Sequence, residues 1–300
     1  MRPALLAVVP VAFALVSGGC GSGSSGKQTS PKAGTLQAEW DRPGPNVTVV
    51  PGTSDYAPGD VRVTFLVVRN DGRQVVRPRA RLWVARSLDD RPIVRGTARL
   101  ELVRPPGSGD PLDVSHLYVA HVRLTAPGRY WYVAEPVGGT AIQAAGMLDV
   151  KSDSVTPAVG DRAPASRTPT LATAPIRLLT TRTPPDRSLL RYSVAGSLAA
   201  HVPFVVVFAT PKFCTSRTCG PVVDVVEHVA RGFPSVRFIH VEIYRDNDPQ
   251  KGQNRWVRQW RLPTEPWTFV VGADGRIASK FEGSISEREL RAAVRDLLAR

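Results

Sequence analysis

Between Leu36 and Val150 apolar residues recur at about every second position, and after Ile176 they do not. That change of period constrains the fold more than any other feature. Side chains of a strand point alternately to its two faces. The segments "VRVTFLVVR" (61–69), "ARLWVAR" (80–86), "ARLELV" (98–103), "LYVAHVRL" (117–124) and "RYWYVAE" (129–135) therefore read as strands with one buried face. Turn residues at "NDG" (70–72), "PPGSGD" (105–110) and "APG" (126–128) divide them. Short strands at regular spacing predict an all-β sandwich over residues 36–151. His116 and His121 fall at odd spacing on one strand, hence on opposite faces, and are poorly placed to share a metal.

Beyond residue 176 strand-like and helix-like segments alternate. "IRLL" (176–179) predicts a strand and 185–200 a helix. "PFVVVFAT" (203–210) is a continuous apolar run, as expected of a strand covered on both faces. A helix over 220–233, a strand over 236–243, a helix over 254–262 and a hairpin over 266–283 with Asp-Gly in its turn follow. The last helix, 286–300, opens with Ser286 and carries Glu289 three residues on, the pattern of a capping box. Residues 152–175 are rich in Pro, Ala, Ser and Thr and read as a linker. Residues 21–35 read as a flexible tether, with a reach of roughly 20 Å by coil scaling.

Arg2 and an apolar run from Ala4 to Val16 precede "VSGGC". The run is shorter than the about 20 residues of a spanning helix and suits a secretory signal. Ser17, Gly18 and Gly19 before Cys20 resemble the lipobox of bacterial lipoproteins, although Ser17 stands where Leu or Val is commoner. The resemblance implies a signal peptide over 1–20, acylation of Cys20 and a lipid-anchored chain on the extracytoplasmic face of the cell membrane. The alternative is ordinary signal cleavage with Cys20 incidental. The formal net charge of +13 is dispersed, with no basic run or nucleic-acid motif, and reads as a solvated surface.

Of the three cysteines, Cys214 and Cys219 remain to pair with each other, in a space where a disulfide persists. Five positions on a helix amount to about 140° net, so a continuous helix cannot present both sulfurs together. Pro221 prefers a first turn, which places the helix start near Cys219 and leaves Cys214 in the preceding loop. The helix N-terminus favours a thiolate and gives Cys219 the electrostatic argument. Cys214, after Phe213, is the more exposed candidate. Which sulfur attacks stays open.

Three features together resemble the thioredoxin superfamily: "VVVFATPKFC" leading into a loop, "CGPV" (219–222) for its CGPC box, and "LPTEPWTFVV" with Pro266 at the place of its cis-proline. The resemblance covers residues 176–300 and implies a C-terminal α/β thioredoxin-like fold, joined to an N-terminal all-β sandwich. "APGRYWYVAE" (126–135) gives that sandwich a fold-level likeness to immunoglobulin-like domains. It implies catalytic Cys214 and Cys219, and substrate binding by Glu265 and Pro266. It implies no cofactor and no metal, and as partners exported proteins or redox partners with cysteines. Two departures stand out: four residues separate the cysteines instead of two, and the family's buried acid near Val207 or Phe208 is absent.

The leading expectation is a membrane-tethered thiol–disulfide oxidoreductase. A non-catalytic binding lipoprotein with a structural Cys214–Cys219 disulfide is the alternative. A copper chaperone using both sulfurs with His201, His228 or His240 comes third. Nucleic acid is not an expected partner.

Overall fold

Among the described residues, seven strands occupy the period-two region: β1 (Val47–Pro51), β2 (Gly59–Arg69), β3 (Arg79–Ala85), β4 (Val94–Leu102), β5 (His116–Leu124), β6 (Gly128–Pro136) and β7 (Ala144–Val150), after a short helix α1 (Leu36–Trp40). The computed structural model describes residues 31–105 and 114–300. The expected signal peptide, the acylation site at Cys20 and most of the expected tether lie outside the described residues. All neighbouring strands pair antiparallel, in the order β1-β2-β5-β4-β3-β6-β7. Inward residues such as Phe65, Leu82, Tyr118 and Tyr132 fill one core. Phe65 lies 5.4 Å from the Tyr118 ring and 5.6 Å from the Tyr132 ring. The edge strands β1 and β7 lie against each other, and Tyr56 bridges to Val150.

The second sheet runs β11-β10-β8-β9, from β8 (Phe204–Phe208), β9 (Arg237–Val241), β10 (Trp267–Val271) and β11 (Ile277–Glu282). Only β8 and β9 are parallel. Helices α3 (Cys219–Ala230) and α5 (Glu287–Leu298) cover one face. The short α2 (Val194–Ala199) and α4 (Arg255–Gln259), with Trp260, cover the other. Every residue of β8 is buried, as its continuous apolar run requires. Ser286 and Glu289 close the capping box of α5.

The architecture corrects the expected fold class of an immunoglobulin-like sandwich joined to an α/β thioredoxin-like fold. The described residues are mostly β, 32% strand against 20% helix. The N-terminal strands form one nearly closed sheet, not two stacked ones. Alternation records that each strand buries one face, and a curling sheet satisfies that as fully as a sandwich does. In the C-terminal half the expected strand at 176–179 is a 3₁₀ turn over Ile176–Leu178, bonded Leu178 N–H to Pro175 O at 2.9 Å. The expected helix over 185–200 is a 3₁₀ turn over Arg187–Leu190 and the six residues of α2. Apolar runs this short carry no period that separates strand from turn.

The described residues form one compact unit. The segment 152–175, read as a linker, is built into it. Ile277 N–H bonds Asp161 O at 2.9 Å and Ala163 N–H bonds Gly275 O at 2.9 Å, so the segment runs along the β11 hairpin. Ser154 and Thr156 hydroxyls donate to the Asp55 carboxylate at 2.6 and 2.8 Å, and Lys280 reaches the same carboxylate at 3.1 Å. Arg62 on β2 pairs with Glu289 on α5 at 2.7 Å and donates to Ser284 O at 2.8 Å. Glu101 on β4 pairs with Arg288. Close backbone approach completes the joint. Gly283 sits at φ 69°, and a Cβ there would meet Gly52 O at 2.6 Å.

Candidate functional site

Strand β8 ends at Phe208 and the chain turns before α3 begins at Cys219. The turn is closed by Arg217 N–H to Cys214 O at 3.3 Å, with Arg217 in the left-handed region at φ 56°. The four intervening residues thus fold back, and Cys214 returns to the helix start. The first N–H groups of a helix have no partner inside it. Here Cys219 N–H points at Cys214 Sγ, 3.3 Å away. The Ser216 hydroxyl lies 3.2 Å from the same sulfur and Thr218 Oγ1 4.0 Å. Both cysteines are free thiols.

The electrostatics distinguish the two sulfurs. A hydrogen bond from the Cys219 thiol is the largest influence on Cys214. Burial opposes it, but the Ser216 hydroxyl and the Cys219 and Thr218 amides add to it, and the Cys214 thiol falls to about 5. Cys219 is fully buried among Val222, Val223 and Val226. Burial first, then its bond to Cys214 and that sulfur's charge, push its thiol far up. The field of the helix start, which the sequence assigns to Cys219, therefore acts on Cys214. Cys219 lends its backbone to that field while its side chain turns into the core.

Glu265 and Pro266 are joined by a cis peptide bond, and Pro266 is buried with its carbonyl accepting Gly283 N–H at 2.9 Å. Burial raises the Glu265 carboxyl, and the charge of Cys214 raises it further. Tyr244 belongs to the same cluster. Its ring meets Phe213 edge-on at 6.2 Å, and burial, then Glu265 and the two sulfurs, raise its phenol. The structure so brings Cys214, Cys219 and Glu265 together.

Sequence reasoning missed Ser216, Thr218, Tyr244 and Thr264. The hydroxyls at 216 and 218 were legible as polar residues between two cysteines. Tyr244 arrives from a distant segment and leaves no local signal, whereas Thr264 lies inside "LPTEPWTFVV", directly before Glu265. Thr264 donates to Glu282 at 3.0 Å and accepts from Trp267 Nε1 at 3.1 Å, which fixes the loop before Glu265. Trp260 is fully buried between Phe208 and Phe269, at 5.1 and 4.6 Å.

The histidines proposed for copper are engaged elsewhere. His240 Nε2 contacts Ala209 O at 3.0 Å, His201 Nδ1 contacts Ala273 O at 3.3 Å, and His228 Nδ1 faces Glu287 at 3.4 Å. Among the described residues no group of three or more His, Cys, Asp or Glu side chains is arranged to hold a metal ion. Nor is any helix among them long and apolar enough to cross a membrane.

A scan against protein-family models finds no match. A search of curated proteins finds no similar sequence.

Proposed function

We propose that the protein exchanges thiols and disulfides, with Cys214 as the attacking sulfur and Cys219 as the resolving one. The observation that carries this reading is the Cys219 N–H on Cys214 Sγ at 3.3 Å, with a hydroxyl on the same sulfur. A thiolate is the attacking species in such exchange, and donors aimed at sulfur stabilise it. In the reducing direction Cys214 thiolate attacks one sulfur of a substrate disulfide. A Cys214–substrate bond forms, the substrate S–S bond breaks, and the second substrate sulfur leaves as thiolate. Cys219 then gives its proton to that thiolate and attacks Cys214. The intramolecular disulfide forms, and the first substrate sulfur leaves as thiolate and takes a proton from solvent. An external dithiol must restore the pair for a second turnover.

The residue types at Cys214–Val222 and Glu265–Pro266, locally similar to the active-site segments of the thioredoxin superfamily, support the same chemistry. The substrates in this reading are exported proteins or redox partners with cysteines, and acylated Cys20 tethers the chain to the outer face of the membrane. Stoichiometric reduction of hydroxyethyl disulfide by the reduced full chain, abolished in Cys214→Ser, is the expected result. A wild-type chain that leaves the disulfide intact overturns the reading and favours a binding protein with structural cysteines. Retention of Cys20→Ala in the membrane fraction overturns the tether.

A further inference from the structure

A groove of about 330 Å³ opens beside the attacking sulfur, where the curled sheet meets the cysteine loop. Ser216 and Thr218, the two hydroxyl residues at Cys214 Sγ, line one wall with Glu265. The opposite wall belongs to the seven-stranded sheet: Val50, Leu66 and Leu117. Val50 is 42% exposed. Gly52 and Gly283 meet at the floor, and Glu282 pins both sides by accepting Ser54 N–H at 2.7 Å and the Thr264 hydroxyl at 3.0 Å.

The charge of the groove runs against that of the molecule. The chain carries +13, yet the charged residues lining the groove are the carboxylates Glu265 and Glu282. Glu282 spends its oxygens on Ser54, Asp55 and Thr264. Glu265 is half-buried beside the sulfur and is the charge left for a ligand.

Resting on the redox reading above, we infer that the curled sheet is one wall of the substrate site. The site takes an extended cysteine-containing peptide with a basic residue at Glu265 and an apolar residue against Val50, Leu66 and Leu117. An apolar wall and one desolvated carboxylate select such a segment by area and by charge. The cysteine loop supplies the chemistry, and β1, β2 and β5 supply the selection.

The test uses the reduced full chain in single turnover, consuming its own two thiols. Three probes are compared: a cyclic disulfide octapeptide with Arg and Leu beside its cysteines, the same peptide with Glu and Ser there, and hydroxyethyl disulfide. The Arg/Leu peptide should react about five- to tenfold faster than the Glu/Ser peptide. Glu265→Gln should erase most of that preference. Val50→Asp should lower the rate on the Arg/Leu peptide relative to hydroxyethyl disulfide, a ratio in which general misfolding cancels. Equal rates for the two peptides, with hydroxyethyl disulfide still reacting, overturn the inference and leave the redox reading standing. No reaction with any probe overturns the redox reading itself.

Discussion

Cys219 donates its backbone N–H to the sulfur of Cys214 across 3.3 Å, so the buried cysteine acts on the accessible one through its main chain as well as through its thiol. The consequence is a pH profile. The Cys214 thiol titrates near 5, and its charged form is the reactive one. Alkylation by iodoacetamide should therefore rise through about pH 5 and be flat by neutrality, whereas an ordinary thiol rises near about 8.5. Cys219, held as a thiol by burial and by its neighbour's charge, should stay unmodified across that range. The check is the modification rate of each cysteine, read by mass spectrometry between pH 4 and 9. A midpoint for Cys214 near 8.5 would contradict the geometry.

Ser216 offers a finer test. Its hydroxyl is 3.2 Å from Cys214 Sγ and also bonds Thr218 Oγ1 at 2.8 Å. A hydrogen bond is worth about 1 kcal/mol net, and one to a charged group more. Ser216→Ala should move the alkylation midpoint upward by about one pH unit. Ser216 is exposed, so thermal stability should hardly change.

The pair Arg62–Glu289 joins the two sheets through α5, with side chains 10% and 5% exposed. Burial alone pushes the Glu289 carboxyl up. The Arg62 guanidinium beside it, with hydrogen bonds from Arg62 and from Ser286 N–H, outweighs burial and holds it below the usual glutamate range. A carboxyl depressed in the folded state stabilises fully above its unfolded value of about 4.3, and that contribution is lost as pH falls through the folded value. Arg62→Met removes the partner and leaves a buried charge. It should cost about 3–5 kcal/mol at neutral pH. Glu289→Gln should flatten the acid limb of stability below about pH 4. Denaturant midpoints across pH measure both.

Much of this molecule is written locally. The alternation in "VRVTFLVVR" (61–69) predicts β2, the run "PFVVVF" (203–208) predicts a strand buried on both faces, and Pro221 places the start of α3. Each rests on contacts within a few residues. What joins these pieces is not written locally. The return of β7 to β1 is decided by accumulated twist over seven strands, to which no single segment testifies. At the site, the spacing of Cys214 and Cys219 signals a turn and a helix start. It does not say whose sulfur receives the helix amides, because that depends on which way the Cys219 side chain leaves α3. The core of Val222, Val223 and Val226 decides it.

Ser166 is the sharpest case of a residue whose composition misleads. It lies in the Pro- and Ser-rich segment that reads as a linker, yet it is fully buried. Its hydroxyl donates to Gln259 Oε1 at 2.8 Å and accepts Trp260 Nε1–H at 3.1 Å, and its carbonyl accepts Ala195 N–H at 2.9 Å. It thereby ties the segment to α4 and α2 at once. Ser166→Ala keeps the backbone bond and the volume but leaves a buried indole N–H and the amide oxygen of Gln259 without that partner. Such a loss costs about 1–3 kcal/mol. A flexible linker would show no change at all. Urea unfolding of Ser166→Ala therefore separates the two cases: a lowered midpoint with an unchanged slope is expected, and an unaltered midpoint would mean that the segment does not hold Trp260 in place.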